Sequence, residues 1–316
     1  MGWTIADLPN QHGRAALVTG GASGIGFQVA KELGAKGASV TLLGRDPVKG
    51  ALAVARLRAN GGNYSFEQVD LASLASITEL VARWGVRPIH LLMNVAGVMA
   101  VPGRRLTEDG FEMHMGTNFL GHFALTMGLL QALRAGHARV VTVSALVGRL
   151  KSASIDLDDI QARHQRYSPM KAYARSKLAD IMFAIELQRR ATATNSGITS
   201  VAVDPGTANT DLQRHVSGFV AALGRALINI IGYPIDRVAE NILFAAVMDH
   251  PTDKTLIAPS RFIQRFASPR DVGIPTLAND STSRERLWQE AEKLTGVCFS
   301  NNDLATESRT QSGDML

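Results

Sequence analysis

Short apolar runs alternate with longer amphipathic stretches along most of the chain. Runs such as Ala15–Thr19 and Ser39–Leu43 contain no charged side chain and match strands that are buried on both faces of a parallel sheet. Between them, residues 27–34 place apolar side chains three or four positions apart, which is the spacing of one helix face. Gly37 closes this helix, so the segment predicts one strand–helix–strand unit.

The same alternation continues as far as residue 203. Four more strands are predicted, at 64–69, 89–93, 139–143 and 199–203, and further helices at 48–60, 73–84, 110–133 and 173–192. Six strands that alternate with helices predict an α/β fold, with a doubly wound, mostly parallel sheet and helices on both faces.

Two segments stand outside this alternation. Residues 207–235 are rich in apolar and small side chains, whereas the tail 300–316 is polar and is expected to be flexible. No long polar linker interrupts residues 10–270, so residues 1–299 are expected to form a single domain.

Composition excludes several classes of protein. Apolar residues make up 46% and charged residues 19% of the 316 residues, which excludes global disorder. The net charge of +5 is spread along the chain without a basic block, so no nucleic-acid partner is expected. A single cysteine, Cys298, excludes an intrachain disulfide and a cysteine-cluster metal site. His114, His122 and His164 have no second ligand at metal-binding spacing, so no metal is expected.

The chain shows no targeting pattern. Residues 1–13 lack a charged-then-apolar signal, and no apolar run approaches the length of about 18 residues that a transmembrane helix needs. We therefore expect a protein of the cytoplasm without a transmembrane segment.

A glycine-rich turn joins the first predicted strand to the first predicted helix. A dinucleotide pyrophosphate binds backbone N–H groups at a helix N-terminus, and glycines allow its close approach. The turn places three glycines between a strand and a helix, which favours dinucleotide binding over an ordinary turn. The predicted contacts are Gly20, Ser23, Gly24, Ile25 and Gly26.

The residues that follow the next strands complete this cofactor prediction. Arg45 stands where a carboxylate would select NAD, and its planar guanidinium suits a 2′-phosphate, so NADP is predicted. The alternative is a surface arginine paired with Asp46 or Asp70. Asp70 and Leu71 are expected to hold the adenine ring, and Asn94, Ala96 and Gly97 end the fourth strand at the same sheet edge.

Tyr173 and Lys177 lie four positions apart, on one face of a predicted helix. A phenol has a pKa near 10, and a neighbouring ammonium lowers that pKa toward the range useful for acid–base catalysis. The spacing alone also fits a surface pair. Its position after the strand that ends at Ser144, in a chain with a dinucleotide turn, favours catalysis.

Together these pieces resemble the short-chain dehydrogenase/reductase family over roughly residues 10–260. The matching motifs are Thr19-Gly20-x-x-x-Gly24-x-Gly26, Asp70-Leu71, Asn94-x-Ala96-Gly97, Asn118, Ser144, Tyr173-x-x-x-Lys177 and Pro205-Gly206. The stretch 106–123 and the long gap from Ser144 to Tyr173 resemble the retinol-dehydrogenase-like branch.

The resemblance implies a Rossmann fold and a role for each motif. Tyr173 would exchange a proton with the carbonyl or alcohol and would also contact the cofactor, and Lys177 would lower the pKa of Tyr173 and bind the ribose. Asn118 would hold a water behind Lys177, and Ser144 would orient the substrate oxygen. The nicotinamide and pyrophosphate side would be lined by Pro205, Gly206, Thr207 and Thr210.

Two positions depart from the family pattern. Counting back from Gly148, the usual serine falls on Ala145, and Ser144 stands one residue earlier; a one-residue slip in a strand reverses the direction of a side chain. Ser144 therefore serves only if the strand ends differently, and otherwise Ser152 or Ser154 would substitute. Val95 replaces a second asparagine near the cofactor.

The resulting hypothesis is an NADP(H)-dependent oxidoreductase that interconverts a carbonyl and an alcohol on a small-to-medium lipophilic molecule. The resemblance implies a substrate lid at residues 207–235, and the apolar content of this segment suggests a lipophilic substrate, although it equally fits a lid that only covers the core or a dimer interface. The competing hypothesis is a dinucleotide-binding sensor or scaffold with weak or no catalysis, which Ala145 and Val95 motivate.

The family's helices after the fourth and fifth strands often form a dimer interface, so a homodimer or homotetramer is expected. Six apolar residues of these helices would either serve that interface or pack the core: Phe111, Met115, Phe119, Phe123, Met182 and Phe183.

Overall fold

One eight-stranded sheet organises the molecule. The computed structural model describes residues 2–150, 153–206, 235–249, 251–252, 254–260 and 268–299. The strand order is β3-β2-β1-β4-β5-β6-β7-β8, and all neighbours pair in parallel except β7 and β8. The predicted doubly wound, mostly parallel α/β fold in a single domain is confirmed.

The six predicted strands all form. Their bounds are Ala15–Thr19 (β1), Ser39–Gly44 (β2), Asn63–Gln68 (β3), Leu91–Asn94 (β4), Arg139–Val143 (β5) and Thr199–Val203 (β6). Two short strands that the sequence pattern missed extend the sheet, Leu256–Pro259 (β7) and Pro269–Asp271 (β8). With three or four residues each, they are too short to show a hydrophobic period.

Helices cover both faces of the sheet. They are Gly24–Ala35 (α1), Pro47–Arg58 (α2), Leu74–Trp84 (α3), Gly121–Gly128 (α4), Leu130–Ala135 (α5), Leu146–Arg149 (α6), Pro169–Ala193 (α7), Ile235–Val247 (α8), Thr276–Asn279 (α9) and Ser281–Thr295 (α10). A 3₁₀ turn, Ile5–Asp7, precedes β1. One buried core lies on the side of α3, α4, α7 and α10, and a second lies on the side of α1, α2 and α8. No helix in these ranges is long and apolar enough to span a bilayer.

The long helix predicted over 110–133 is broken in the structure. A π-helical segment, Met115–Leu120, leads into α4, and a further break at Leu129 separates α5. The start is delayed because Gly110 adopts a φ of +81° in a turn, and because the Glu112 carboxylate accepts a hydrogen bond from the Met115 N–H. Single π turns are frequent at functional sites, and this segment carries Asn118, one of the predicted catalytic residues.

The aromatic residues of α4 and α7 pack inside the chain. The C-terminal helix α10 places Trp288 against Phe123 and Phe183, with ring centroids 5.0 and 5.9 Å apart. All six residues named for either an interface or the core are at most 8% exposed. These six side chains therefore pack in the core of this chain, and they are not exposed for an interface.

Candidate functional site

The glycine turn between β1 and α1 forms an open cradle at the carboxyl edge of the sheet. Gly24 has a φ of +56°, and a Cβ added there would meet no atom within 4 Å. In contrast, a Cβ on Gly26 would lie 2.5 Å from the carbonyl oxygen of Gly20, so the turn closes tightly on itself. A tight turn that leaves its outer side open at a helix N-terminus fits a dinucleotide pyrophosphate.

A cavity of about 300 Å³ extends from this turn across the ends of β1, β2 and β4. It lies where the strand order reverses between β1 and β4, which is where doubly wound sheets bind ligands. Its lining includes ten residues predicted for the cofactor: Gly20, Ser23, Gly24, Ile25, Gly26, Arg45, Asp70, Leu71, Ala96 and Gly97. Asn94 does not line the cavity. It is only 1% exposed and donates to Thr126 Oγ1, so its side chain joins the end of β4 to α4 beneath the cavity.

Arg45 is exposed at the end of β2 and lines the cavity. The alternative of a surface ion pair is not seen within the described residues, because Asp46 caps α2 through the Lys49 N–H and Asp70 accepts from the Ala72 N–H. Lys49 also lines the cavity, one turn into α2. Sequence reasoning missed this second cation, although the Asp46-Pro47 helix start marks its position.

Tyr173 and Lys177 lie on one buried face of α7, as predicted. The helix begins at Pro169, four residues before the predicted start, and Ser168 caps it. Tyr173 is 7% and Lys177 is 3% exposed, and the Lys177 Nζ lies 6.0 Å from the centre of the Tyr173 ring.

The pKa of Tyr173 does not follow the simple expectation. Burial raises the pKa of this phenol, and the lowering influence of Lys177 is smaller, so the net direction is upward. The carboxylates of Asp180 and Asp204 raise it further. The cause is desolvation of the phenolate, which the sequence spacing alone does not reveal.

Lys177 is connected to the cavity through Gly97. A Cβ on Gly97 would lie 3.2 Å from Asn118 Oδ1 and 3.7 Å from Lys177 Nζ. Gly97 therefore lets the cavity wall approach both side chains. The ammonium itself donates to the Val143 carbonyl oxygen at 2.9 Å and pairs with Asp180 at 2.9 Å.

Asn118 lies in the π-helical segment and connects this segment to the loop after β4 and to α7. Its Oδ1 accepts from the Val98 N–H at 2.7 Å, and its Nδ2 donates to Ser176 Oγ at 2.9 Å. Ser176 in turn donates to the Tyr173 carbonyl oxygen. Asn118 thus ties the loop after β4 to α7, while its proposed water-holding role stays a prediction.

His122 extends this network into the sheet. Its Nδ1 bonds the Asn118 carbonyl oxygen at 2.7 Å, and its Nε2 lies 3.0 Å from Thr19 Oγ1. A carbonyl oxygen only accepts, so Nδ1 carries the proton and Thr19 donates to Nε2. Burial lowers the pKa of His122 to about 4, so the ring is neutral at physiological pH. Sequence reasoning judged this histidine by metal-ligand spacing and missed its connecting role.

A second buried cluster borders Tyr173 on the side of the 101–112 loop. The His114 ring centre lies 6.2 Å from that of Tyr173, and its Nδ1 is 2.9 Å from Glu112 Oε1. Tyr167 donates to the same carboxylate oxygen at 2.8 Å. Burial opposes ionisation of Glu112, but hydrogen bonds from His114 and Met115 outweigh it and lower its pKa. No sequence motif marked this Glu–His–Tyr cluster, which holds the wall beside Tyr173.

Ser144 lies at the end of β5, but its hydroxyl points into α7. It donates to the Lys177 carbonyl oxygen at 2.6 Å and is 2% exposed. The proton that would orient a substrate oxygen is therefore engaged in the protein. Ala145, where the family usually has its serine, is half-buried in extended backbone at the start of α6. Ser154 is exposed, and Ser152 lies outside the described residues.

The remaining predicted cofactor contacts follow β6. Gly206 donates its N–H to Asp204 Oδ1, and the Pro205 carbonyl accepts from Asn241. Thr207, Thr210, the lid and the tail 300–316 fall outside the described residues, except for the backbone of residue 235 in α8.

Comparison with known proteins places this site in a family. Residues 14–156 match the family model for short chain dehydrogenases. Mouse polyprenol dehydrogenase is 39% identical over 305 residues, which cover 94% of this chain and 88% of that protein. Human retinol dehydrogenase 13 is 35% identical over 295 residues, covering 90% and 85%.

A solved structure supports the same assignment. A protein from Mycobacterium paratuberculosis, titled putative and uncharacterized, superposes with a TM-score of 0.79 at 37% identity, covering 95% of this chain and all of that one. With the glycine cradle and the Tyr173–Lys177 pair in place, the chain belongs to the retinol-dehydrogenase-like branch of the short-chain dehydrogenase/reductase family, and is an oxidoreductase that uses a nicotinamide dinucleotide.

Proposed function

We propose that this chain is an NADP(H)-dependent oxidoreductase that interconverts a carbonyl and an alcohol on a small-to-medium lipophilic substrate, with Tyr173 as the acid/base. The observation that carries this proposal is the contact at Gly97, where the cavity wall meets Lys177 and Asn118. It links the cradle for the dinucleotide to the buried phenol on α7.

The residues divide the work of the reaction. When bound, the nicotinamide supplies or accepts the hydride. In reduction Tyr173 gives its hydroxyl proton to the substrate oxygen, and in oxidation the phenolate takes that proton back. An ammonium has three N–H groups, and Lys177 commits two of them to Val143 and Asp180. Among the described residues the third N–H has no acceptor, which leaves it for a ribose hydroxyl.

Steady-state oxidation of NADPH with a panel of aldehydes, ketones and quinones tests the reaction. We expect turnover with aldehydes or ketones that carry an apolar chain. A protein that binds NADPH but turns over none of the panel would contradict the proposal.

The lipophilic substrate is supported by the surface around the site. Leu146, Leu150 and Met170 are 39%, 46% and 47% exposed on the elements that lead to Ser144 and Tyr173. The relatives are named for polyprenol and retinol, which are both long apolar alcohols. Within a series of straight-chain aldehydes, kcat/KM should therefore rise with chain length, because each buried CH₂ contributes about 0.8 kcal/mol. A flat series would show that the pocket does not bind the chain.

The proposed preference for NADP is supported by Arg45 at the end of the cavity and by Lys49 beside it, whose ammonium lies 3.5 Å from the Asp46 carboxylate. Arg45→Asp is expected to weaken NADPH binding by about tenfold and to reverse the preference toward NADH, because a carboxylate repels the 2′-phosphate and accepts from a ribose hydroxyl. Fluorescence titration with both cofactors measures this change.

Arg56→Asp is the matched control for this experiment. Arg56 is exposed on α2 over Phe27, so its substitution changes the net charge equally without altering the cavity lining. An unchanged cofactor ratio in Arg45→Asp, or an equal change in both variants, would contradict the assignment.

A dinucleotide-binding sensor is the second candidate. It is favoured by Ala145 and by the engaged hydroxyl of Ser144, since together they leave the substrate oxygen without a serine donor at the end of β5. Tight NADPH binding without turnover across the panel would support it. The retention of Tyr173, Lys177 and Asn118 in one connected arrangement argues for the enzyme.

A further inference from the structure

A buried carboxylate faces the ammonium of Lys177. Asp180 lies three positions further along α7, with Oδ2 2.9 Å from Lys177 Nζ, and is 1% exposed. Burying an ion pair costs desolvation free energy that an apolar side chain of the same volume avoids. Packing therefore gives no reason for a carboxylate at this position.

The charge of Asp180 is compensated by Lys177. Its other oxygen, Oδ1, has no hydrogen-bond partner within the described residues. Among those residues, Lys177 is the cation that stabilises the negative charge of the Asp180 carboxylate. From the other elements, His122 of α4 faces Lys177 but is neutral, and Asp204 after β6 is paired with Arg149 at 2.7 Å. When both members are ionised, the Lys177–Asp180 pair thus carries almost no net charge beside Tyr173.

This balance matters because the phenolate form of Tyr173 depends on nearby positive charge. An unpaired ammonium would stabilise the phenolate strongly in a dry site, whereas a paired ammonium stabilises it much less. We propose that Asp180 is a positioning residue that holds the Lys177 ammonium and offsets its charge, so that Tyr173 keeps its proton and the site is suited to carbonyl reduction. This inference rests on the function proposed above.

The pKa directions agree with the geometry. Burial raises the pKa of Asp180 to about 7 against the influence of Lys177, and Asp180 in turn raises the pKa of Tyr173. Burial opposes the charged form of Lys177, but Asp180 and Tyr173 together outweigh burial, so the pKa of Lys177 is raised and the ammonium stays protonated. Above neutral pH both members of the pair are charged.

Titration of Tyr173 by NMR tests the proposal without any turnover. The chain has four tyrosines, so ¹³Cζ-tyrosine labelling gives a short spectrum in which Tyr173→Phe assigns the signal. In the NADPH complex, Asp180→Asn should move the Tyr173 titration to lower pH, and Asp180→Glu should return it toward that of the wild type. A midpoint in Asp180→Asn that is unchanged or higher overturns the proposal.

Two further variants make the test decisive. Glu240→Gln breaks an ion pair of the same spacing and the same 2.9 Å distance on α8, which packs on the opposite face of the sheet, and should leave Tyr173 unaffected. If Asp180→Asn does not fold, Asp180→Ser removes the same charge and is titrated in its place. If Glu240→Gln shifted the Tyr173 titration midpoint by the same amount, the effect would arise from the loss of any one negative charge, and the proposal would be overturned.

Kinetics provide the second readout. In Asp180→Asn the limb of the kcat/KM pH profile that reports Tyr173 should move to lower pH, for carbonyl reduction and for alcohol oxidation alike. A limb that stays in place or moves to higher pH would overturn the proposal. If no substrate is turned over, the proposed function fails by itself, whereas the NMR titration still decides the role of Asp180.

Discussion

Tyr173→Phe is expected to lower kcat/KM by about a hundredfold to ten-thousandfold, which is the usual contribution of a general acid or base. The substitution removes only the hydroxyl, and the buried ring keeps its contact with His114. NADPH affinity should stay within about twofold, because the cavity lining around the glycine turn does not include the phenol. Steady-state kinetics and fluorescence titration measure the two quantities separately.

Tyr64→Phe serves as the matched control for this substitution. Tyr64 is also buried, and its hydroxyl donates to the Lys31 carbonyl oxygen on the side of α1 and β3. Removing that hydroxyl should leave kcat/KM near the wild-type value. Activity retained in Tyr173→Phe would refute the assigned acid/base, and an equal loss in both variants would point to general damage to the fold.

His122→Gln is expected to change how stability depends on pH. The pKa of His122 falls from 6.5 to about 4 on folding, so between these values the unfolded chain binds a proton that the folded chain does not. Stability from this group is therefore complete above about pH 6.5 and is lost as the pH falls toward 4. The loss amounts to about 3 kcal/mol for a fully buried group. Glutamine can still donate to Asn118 and accept from Thr19, but it does not titrate.

Urea unfolding between about pH 4.5 and 7 measures this effect. The free energy of unfolding of the wild type should fall more steeply toward acid than that of His122→Gln. His164→Gln, which changes an exposed histidine, should keep the wild-type slope. Parallel slopes for the wild type and His122→Gln would show that burial does not hold this imidazole neutral.

The sequence pattern predicts the central architecture because buried parallel strands are short and uniformly apolar. The pattern over residues 15–43 predicts β1, α1 and β2 almost to their ends. The spacing of the glycines alone locates the cradle between β1 and α1. The edge strands β7 and β8 are too short for this reasoning. The break before α4 depends on the turn at Gly110 and the capping by Glu112, which local helix spacing does not show.

Among the site residues too, those related by local spacing can be predicted from the sequence, and those that meet only through packing of distant segments cannot. Tyr173 and Lys177 are four positions apart on one helix, so spacing alone brings them together. The bond between His122 and Thr19 joins residues 103 positions apart and becomes visible only when α4 packs on the sheet. The orientation of Ser144 depends on where β5 ends, because one residue reverses a side chain.

The C-terminal helix α10 has a consequence for self-association. Trp288 fills the aromatic pocket of Phe123 and Phe183, while Arg190 lies 4.5 Å above its ring and pairs with Glu285 of the same helix. A second copy of the chain can reach the Phe123 and Phe183 rings from this side only by displacing α10 and transferring this indole to water. A contact between two chains built on these two rings would therefore require exchange of α10.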